Sequence, residues 1–570
     1  MPEPIDWLPD GAPFSPRFGD RYHSSANHGV DQARDAFLGG CGLPAAWAGQ
    51  AQWRILETGF GLGLNFLVTW AAWRADPARP RVLHFVSCEA WPVAAADLLR
   101  AAPQAPELLP LAQQLAAQFW GLLPGVHRLA FEGGQVLLTL YIGDAQTMLR
   151  QQQPVADTVY LDGFSPQCNP DMWSEGLLKA VARCCRRGTR LATWSVASAV
   201  RAGLAQCGFD VRKVPGVPPK RDNLQATFDP PWQPRGAADA PTPLFSAPSR
   251  CVVIGAGLAG AGAAASLARR GWQVQVLDQG AVPAAGASGL PAGVFGLHVS
   301  PDDAPQSRLS RAGLRLTRQT AQDLLTEGVD WAPSGVLEHC VDGKRGLPAA
   351  WSEEATHPGS EWSRYADAAQ LAAAGLPADA VGHWHTRGGW IRPARLIAAL
   401  LAQPGITWHG GAAVVRITRA HGGAWQLFDA QGTLLAEAPL VVIATGAGSI
   451  SLCADYWPAA SLRPLRGQVS WGRCSDAPAL PPFPVNGHGN LVPHAPDADG
   501  PIWVLGSTFE RGQTTLPKTA DELAAGHAYN LERLRGLLPG LLEPMAQRFQ
   551  APGMVHDWSA VRCAAPDRRP

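Results

Sequence analysis

Three glycines at alternate positions, Gly59, Gly61 and Gly63, follow a short apolar run and precede a helix-like segment. Glycine lets the backbone approach a ligand at points where a Cβ atom would clash. A glycine turn at the carboxyl end of a first parallel strand is also where open α/β sheets bind nucleotides. The spacing therefore predicts a site for a nucleotide-type cofactor, although a tight turn without a ligand would use the same residues.

Acidic residues at successive strand ends identify that cofactor further. Glu57 opens the glycine motif, Glu89 ends the next strand-like run, and Asp144 follows a third. A carboxylate after the second strand can accept both ribose hydroxyls, and Asp144 is placed to recognise an adenine amino group. Each acid alone would be a solvated loop residue, but together they favour S-adenosylmethionine. The spacing here is GxGxG, whereas GxGxxG is typical of nicotinamide-dinucleotide sites. A nicotinamide cofactor is therefore less favoured.

A fourth acid, Asp162, follows another strand-like run and begins the stretch DGFSP. Methyl transfer to an amine needs a free lone pair, and an alkylammonium resembles lysine, with a pKa of about 10.4. A positioned carboxylate orients the nitrogen and takes its proton, directly or through water. Asp162 is therefore the predicted catalytic residue; the alternative is a plain turn formed with Gly163.

A second glycine turn opens the other half of the chain, where an apolar run leads into Gly255, Gly257 and Gly260. An alanine-rich segment follows, and the next strand-like run ends in Asp278. Strand, GxGxxG, helix, strand and acid in this order supply a tight turn, a helix N-terminus for pyrophosphate and an acid for ribose. They predict a dinucleotide-binding site.

Later segments favour FAD over NAD as that dinucleotide. The small-residue loop at 286–293, which contains Ser288, suits close passage of a bulky flavin. The apolar run at 440–443 is followed by Thr445 and Gly446, in the ATG return strand typical of flavoproteins. Two further stretches are interpreted as loop and strand edges of a substrate layer: 388–393 and 466–468.

The elements that position both sites must belong to more than one domain. At 570 residues the protein exceeds the usual domain size of about 100–200 residues. Residues 229–249 contain six prolines and no apolar periodicity, which predicts a linker between a first domain at 1–228 and a second at 250–570. On both sides, apolar runs alternate with helical stretches, so we expect α/β layers.

Composition limits the function classes. The formal net charge is zero, so composition alone shows no electrostatic footprint for nucleic acid. The 11 cysteines form no regular framework and no metal spacing, which predicts reduced thiols, no metal site and a cytoplasmic protein. The N-terminus shows no secretory signal. Glycines interrupt the uncharged run at 251–268, so a nucleotide-binding strand and turn explain it better than a membrane span.

Together these motifs resemble one family, the bifunctional tRNA wobble-uridine enzymes called MnmC. The first half is similar in ETGFGLGLNF and LDGFSPQCNPDMW, and the second half in GAGLAG, GASG, GGWIRP, RGQVS and VRCAAPD. The resemblance covers essentially the whole sequence. It implies a Rossmann-like class I methyltransferase domain followed by an FAD-binding α/β domain of the glycine and D-amino-acid oxidase type, with a mixed-sheet substrate layer.

The resemblance also implies two successive reactions on tRNA. The flavin domain would oxidise the C–N bond in the 5-substituent of 5-carboxymethylaminomethyl-2-thiouridine, and hydrolysis would free 5-aminomethyl-2-thiouridine. The first domain would then methylate that amine beside Asp162, giving 5-methylaminomethyl-2-thiouridine. Arg562 matches the position where the oxidase relatives hold the substrate carboxylate; the alternative is an arginine paired with a structural acid such as Asp557 or Asp567. We expect a monomer that binds neither DNA nor a membrane.

Some features depart from the family pattern. Leu290 stands where the family's GASGN has asparagine, and the GxGxKRE stretch reads GVPPKRD at 216–222. The sequence ends at Pro570, before a further strand and a glycine-rich loop that follow this point in the family. We therefore expect a flavin domain that lacks its C-terminal end.

Basic residues near one predicted helix end are the predicted contacts to tRNA phosphates. Runs of this kind are often solvated faces, but neutralising phosphates requires cations. The candidates are Arg183, Arg186, Arg187, Arg190, Lys220 and Arg221.

Two other functions stay open at this point. A small-molecule amine oxidase fused to an N-methyltransferase would suit the neutral net charge, whereas the basic residues and the family resemblance oppose it. A tRNA methyltransferase with a flavin domain that serves only as a scaffold would be colourless when purified.

Overall fold

The structure is a computed structural model that describes residues 2–23, 29–102, 107–216, 220–233, 247–341, 346–353, 357–458 and 462–565. The protein forms two compact units, Met1–Ala247 and Pro248–Pro570. Most of the predicted linker at 229–249 lies outside the described residues. Within these ranges, no helix is both long and apolar enough to cross a membrane.

The first unit is built on one large sheet and one small N-terminal sheet. Its strands are β1 Asp6–Trp7, β2 Pro13–Ser15, β3 Asp20–Arg21, β4 Gln52–Glu57, β5 Val82–Glu89, β6 Gly125–Phe131, β7 Val136–Ile142, β8 Ala156–Tyr160, β9 Cys185–Thr193, β10 Phe209–Pro215 and β11 Asp222–Phe228. Its α-helices are α1 Gly29–Asp31, α2 Leu64–Ala75, α3 Ala95–Ala101, α4 Leu109–Gln118, α5 Ala145–Gln152, α6 Glu175–Cys184 and α7 Ser198–Gln206.

The large sheet has the strand order β10-β11-β9-β8-β4-β5-β7-β6. Strands β9, β8, β4, β5 and β7 are parallel to their neighbours in that run, whereas β6 and the β10–β11 pair join antiparallel. Because parallel strands point the same way, the carboxyl ends of β4, β5, β7 and β8 lie at one edge of the sheet. All four strand-end acids of the sequence fall at that edge.

Helices cover this sheet through apolar faces. In α6, the residues Leu177, Leu178, Val181 and Cys184 are buried at helical spacing, which is the pattern of a helix packed on one side. Ser174 caps its N-terminus, with the hydroxyl oxygen accepting the Leu177 N–H at 3.2 Å. Strand β7 is buried at every position, as expected for a parallel strand covered on both faces.

The second unit combines a parallel sheet with a larger mixed sheet. Its strands are β12 Arg250–Ile254, β13 Gln273–Leu277, β14 Gly293–Phe295, β15 Trp331–Ala332, β16 Val336–His339, β17 Ser363–Tyr365, β18 Gly382–His385, β19 Gly389–Ile391, β20 Ile406–His409, β21 Arg416–Arg419, β22 Trp425–Phe428, β23 Leu434–Ala438, β24 Leu440–Ile443, β25 Arg463–Arg473, β26 Val485–Gly487, β27 Gly489–Ala495, β28 Ile502–Gly506, β29 Glu510–Arg511 and β30 His556–Ala564. Its α-helices are α8 Leu258–Arg269, α9 Pro305–Leu324, α10 Ala349–Glu353, α11 Ala368–Ala373, α12 Pro393–Leu401, α13 Ser449–Leu452, α14 Ala520–Leu537 and α15 Leu542–Gln550.

Strands β20, β13, β12 and β24 form a parallel sheet in that order, and α8 connects β12 to β13. The uncharged run at 251–268 is therefore a buried strand, a glycine turn and a helix. A nine-stranded mixed sheet contains β25, which pairs with β28, β29 and β30. The two stretches interpreted as substrate-layer edges lie in and beside β19 and in β25.

Candidate active sites

The glycine turn between β4 and α2 needs glycine at each of its three positions. Gly61 and Gly63 have φ angles of +51° and +74°, a region that side chains with a Cβ rarely adopt. Gly63 is the N-cap residue of α2. A Cβ on Gly59 would lie 3.1 Å from the Asp162 carbonyl oxygen. The turn thus brings the backbone close to the end of β8.

Glu89 ties this turn to the neighbouring strand. Its carboxylate accepts the Gly61 N–H at 2.9 Å and the Trp91 N–H at 2.8 Å. Burial raises the pKa of Glu89 to about 7, against the lowering effect of these backbone hydrogen bonds. The carboxylate lines the cavity at the end of β5, where the sequence predicted a ribose acceptor.

Asp144 lies at the end of β7 and caps α5. One of its carboxylate oxygens, Oδ1, accepts the Thr147 N–H at 2.8 Å and the Thr147 hydroxyl at 2.6 Å. The residue is exposed and lines the same cavity. The adenine contact of Asp144 stays a prediction.

Glu57 has a different position from the one that a cofactor contact requires. It is completely buried, and it does not belong to the described residues that line the cavity. Its carboxyl oxygens accept the Asn65 amide N–H at 2.8 Å and the Ser87 hydroxyl at 2.6 Å. Burial raises its pKa well above the ordinary value. Glu57 therefore positions Asn65 beneath the site.

Asp162 is held in one orientation by three N–H donors. Its Oδ1 accepts the Gly163 N–H at 2.8 Å and the Trp194 indole N–H at 3.0 Å, and its Oδ2 accepts the Asn65 amide N–H at 2.8 Å. Burial raises the pKa of Asp162 to about 6, more than these hydrogen bonds lower it. The carboxyl is thus mostly ionised at neutral pH and able to accept a proton from a bound amine.

The cavity that these strand ends surround has a volume of about 570 Å³, within the usual range for ligand sites. Five acids are among the described residues that line it: Glu3, Glu89, Asp144, Asp162 and Asp171. The same set contains no lysine or arginine, and only Glu3 is paired with an outside cation, Arg17. The cavity therefore favours positively charged ligands.

We expect Gly61→Val to block methyl transfer and to leave flavin binding intact. A β-branched residue is strained at φ +51°, and its Cβ would lie 3.2 Å from the Tyr22 ring. The dissociation constant for S-adenosylmethionine, measured by calorimetry, should rise about 10- to 100-fold. Gly49→Val is the control, because Gly49 has φ +72° with open space around it. Equal weakening in both variants would contradict a specific role for the turn.

The basic residues of the first unit are divided between two places. Arg186 pairs with Asp157 and Arg187 with Asp229, at the amino end of β8 and β9. That edge is opposite to the cavity. Of the other arginines, Arg183 lies in the last turn of α6, and Arg190 donates to the Cys41 carbonyl at 3.1 Å.

Lys220 lies instead over a ring that contacts Asp162. Its ammonium nitrogen is 4.0 Å from the centre of the Trp194 ring, in cation–π distance. The same indole donates its N–H to Asp162. The Trp194 side chain therefore contacts both Lys220 and the predicted catalytic carboxylate. The adjacent Arg221 is exposed.

The dinucleotide turn of the second unit also depends on glycine. Gly255 has φ +107°, and a Cβ there would meet the Ala444 carbonyl oxygen. A Cβ on Gly260 would collide with the Gly255 carbonyl oxygen. Gly257 immediately precedes α8. The N-terminus of this helix therefore lies at the turn, as a pyrophosphate site requires.

Polar groups converge on this turn from three other segments. Asp278, at the end of β13, accepts the Ala256 N–H at 2.6 Å and the Gly280 N–H at 2.7 Å. The Ser288 hydroxyl oxygen accepts the Leu258 N–H at 3.2 Å, so the small-residue loop reaches the first turn of α8. After β24, the Thr445 hydroxyl contacts that of Ser449, and Gly446 has φ +57°.

These residues fit a flavin dinucleotide. The turn is a cradle that side chains would fill, and an indole N–H nearby has no protein partner: Trp558 Nε1 is buried and unpaired within the described ranges. A Cβ on Gly289 would press on the Trp558 ring, so this tryptophan packs against the small-residue loop. No group of three or more His, Cys, Asp or Glu residues in those ranges could hold a metal ion.

Arg562 lies on β30, and its guanidinium is 5.2 Å from the centre of the Phe509 ring. It is separated from Trp558 by four positions, so both side chains fall on the same face of the strand. Asp557, the alternative partner, falls on the opposite face and accepts the Ser559 hydroxyl at 3.1 Å. The other alternative, Asp567, lies outside the described residues.

Sequence reasoning missed three groups of the first site. Asn65 follows the glycine motif directly, and its place in the first turn of α2 was a usable signal. Trp194 and the N-terminal pair Phe18 and Tyr22 are far from any motif and gave no signal.

Comparisons with known proteins agree with these two sites. A family model described as S-adenosyl-L-methionine-dependent methyltransferase matches residues 106–229, and one described as FAD dependent oxidoreductase matches residues 250–570. A protein of Paracidovorax citrulli (strain AAC00-1) is 66% identical over 100% of this chain and 90% of its own length. One of Delftia acidovorans (strain DSM 14801 / SPH-1) is 60% identical with the same coverage. Both are named tRNA 5-methylaminomethyl-2-thiouridine biosynthesis bifunctional protein MnmC.

A solved structure of glycine oxidase from Geobacillus kaustophilus is 22% identical, with a TM-score of 0.43, over 56% of this chain and 85% of that one.

The sites and the family matches together define an S-adenosylmethionine-dependent methyltransferase joined to an FAD-dependent oxidoreductase. The predicted fold class and both predicted cofactors are confirmed. The protein belongs to the MnmC family of bifunctional proteins.

Proposed function

We propose that this enzyme carries out two successive steps at the modified wobble uridine of tRNA. The oxidoreductase unit removes the carboxymethyl group of 5-carboxymethylaminomethyl-2-thiouridine, and the methyltransferase unit methylates the freed amine to give 5-methylaminomethyl-2-thiouridine. The observation that carries this proposal is the acidic cavity around Asp162. An S-adenosylmethionine sulfonium and an alkylammonium are both cations, so this cavity suits the proposed donor and acceptor together.

In the methyl transfer, Asp162 orients and deprotonates the amine. Bound S-adenosylmethionine supplies an electrophilic methyl group. The amine must lose its proton to expose a lone pair, and the Asp162 carboxylate is positioned to accept that proton and pass it to solvent. Three N–H donors fix the positions of the carboxylate oxygens. The carboxylate is therefore already oriented before the reaction begins.

In the oxidation, Arg562 holds the substrate. The carboxymethylamino group ends in a carboxylate, and a guanidinium binds a carboxylate with two parallel charge-assisted hydrogen bonds. Bound FAD supplies a two-electron acceptor for the C–H bond next to nitrogen. The substrate C–N bond becomes an imine, and water hydrolyses it to the aminomethyl nucleoside and a two-carbon aldehyde acid. The cofactor-binding roles of the residues at both glycine turns are part of this proposal.

The proposed domain division is a methyltransferase domain at 1–228, a linker at 229–249 and an oxidoreductase domain at 250–570. A linked second site keeps the product close after the first step. We place the enzyme in the cytoplasm as a monomer without a membrane contact. A tRNA substrate and eleven cysteines without a disulfide support the cytoplasmic location.

For tRNA phosphates, we propose Lys220 and Arg221 as the principal contacts of the methyltransferase unit. Lys220 lies over the Trp194 ring, which also donates its N–H to Asp162, so its charge is close to a nucleotide bound at Asp162. Arg186 and Arg187 are secondary candidates, because their charges already face Asp157 and Asp229. Arg183 and Arg190 are also secondary candidates.

Replacing Lys220 and Arg221 with alanine should weaken tRNA binding and flatten its salt dependence. Each lost phosphate contact lowers the slope of log K against log salt by about one unit. Filter binding over a salt series measures this slope. The double variant of Arg186 and Arg187 should change it less, because those charges are partly neutralised within the protein. A larger change of slope in the Arg186 and Arg187 variant than in the Lys220 and Arg221 variant would place the tRNA at the other edge of the sheet.

The central test supplies tRNA carrying 5-carboxymethylaminomethyl-2-thiouridine, FAD and isotopically labelled S-adenosylmethionine, with mass spectrometry of the nucleosides. We expect the aminomethyl nucleoside first and the labelled methylaminomethyl nucleoside next. Omitting S-adenosylmethionine should stop the reaction at the aminomethyl stage. Turnover of free small amines without turnover of tRNA would instead support an amine oxidase fused to an N-methyltransferase.

A further inference from the structure

An aromatic group of unassigned role lines one end of the methyltransferase cavity. Phe18 and Tyr22 come from the N-terminal segment that contains β3, and Phe164 follows Asp162 by two positions. Phe18 and Phe164 are stacked, with ring centres 4.8 Å apart and an interplanar angle of 28°. The Tyr22 ring meets Phe164 edge-on at 4.9 Å. These three rings are called the aromatic wall.

Two sets of polar contacts hold the N-terminal segment against the site. The Asp20 carboxylate accepts the Ser165 N–H at 2.9 Å, directly after Phe164. Arg17 donates to both oxygens of Glu3 at 2.9 Å, and its guanidinium is 3.9 Å from the centre of the Trp91 ring. The aromatic wall is therefore a fixed part of the cavity rim.

The rings of the aromatic wall contact two different segments of the site. Tyr22 packs on the cofactor turn, because a Cβ on Gly61 would lie 3.2 Å from its ring. Phe18 stacks instead on Phe164, which belongs to the DGFSP stretch after β8. Phe18 thus packs on the segment that follows Asp162, whereas Tyr22 packs on the glycine turn.

Core packing alone does not account for these rings. All three are half-buried and line the cavity, whereas the core aromatics Phe66 and Trp70 are completely buried. An apolar surface of aromatic rings beside a set of acids suits a ligand that is both aromatic and cationic. A uracil ring with a 5-aminomethyl substituent has both properties, and bases stack on aromatic side chains in single-stranded RNA recognition.

We propose that Phe18 and Phe164 form the base-binding surface of the methyltransferase site, on which the uracil ring stacks while its 5-aminomethyl group reaches Asp162. This inference rests on the proposed tRNA function and adds the position of the base. Phe18 lies outside residues 106–229, the range matched by the methyltransferase family model.

Phe18→Leu tests this proposal, because it keeps an apolar side chain and removes the ring. With tRNA carrying 5-aminomethyl-2-thiouridine, KM should rise about 5- to 100-fold, the range for loss of one stacked base. The dissociation constant for S-adenosylmethionine should stay at the wild-type value. Phe18→Tyr should restore KM, because it restores the ring.

Trp232→Leu is the matched control, since Trp232 is an exposed aromatic of the same unit outside the cavity lining. If the wild-type enzyme is active and Phe18→Leu leaves KM unchanged, the proposed base-binding surface is overturned, whereas the proposed function is not. No methylation of tRNA by the wild-type enzyme overturns the proposed function itself. Equal loss of S-adenosylmethionine binding in Phe18→Leu assigns the ring to the structure of the turn, and the proposal fails.

Discussion

Asp162→Asn should slow methylation of 5-aminomethyl tRNA by about 10²- to 10⁴-fold, the range of general acid–base effects. The amide has nearly the same size as the carboxylate but does not accept the amine proton. Its oxygen can still accept the Gly163 and Trp194 N–H groups, whereas its NH2 group would face the Asn65 N–H donor. Affinity for S-adenosylmethionine should persist, because the Glu89 and Gly61 contacts are unchanged. Single-turnover methyl transfer and calorimetry measure the two quantities.

The pH dependence gives an independent test of the same role. A base acts only when deprotonated, and burial raises the pKa of Asp162 to about 6. The rate constant for wild-type methyl transfer should therefore fall as the pH drops through about 6 and should level off above it. In Asp162→Asn this acidic limb should disappear.

Asp171→Asn provides the control for charge. Asp171 also lines the cavity, so its removal changes the net charge by the same amount without removing the proposed base. We expect a methylation rate close to that of wild type. Similar losses in the two variants would show that the cavity charge is what matters, and Asp162 would then be a residue that forms a turn with Gly163.

The strand-end acids could be predicted because they depend on local patterns. Apolar runs of strand length end at Glu89 and before Asp144 and Asp162, and parallel strands bring such ends to one edge. Glu57 was predicted as a cofactor contact, but the structure buries it beneath Asn65. Whether Glu57 reaches the cofactor or the core depends on the direction of its side chain at the end of β4. A single apolar run does not define that direction.

Long-range pairs could not be predicted from the sequence. Phe18 and Phe164 meet through the N-terminal segment, and Arg186 meets Asp157 across neighbouring strands. Neither pair shares a motif, and each depends on contacts between residues far apart in sequence. In the second unit the order of strand, glycines and acid was sufficient, whereas the hydrogen bond from Leu258 to Ser288 required the folded loop.

Arg562→Lys should impair oxidation of the carboxymethylaminomethyl nucleoside and leave methylation of supplied aminomethyl tRNA unchanged. The guanidinium grips a carboxylate at two points, whereas an ammonium is a point charge on a flexible stem. The grip also aims the neighbouring carbon, and a misplacement of about 1 Å can cost about 10²-fold in rate. We therefore expect kcat/KM for oxidation to fall by about that factor.

The strand geometry supports this expectation and supplies its control. Arg562 shares a strand face with Trp558, which packs on the small-residue loop at Gly289, whereas Asp557 lies on the other face. Arg511 pairs with the same residue of β25, Leu465, from the neighbouring strand on its other side, so Arg511→Lys makes the same charge-conserving substitution outside the proposed clamp. The Arg511→Lys variant should oxidise the substrate at the wild-type rate. Equal damage to both reactions in Arg562→Lys would indicate misfolding, and undamaged oxidation would eliminate the clamp.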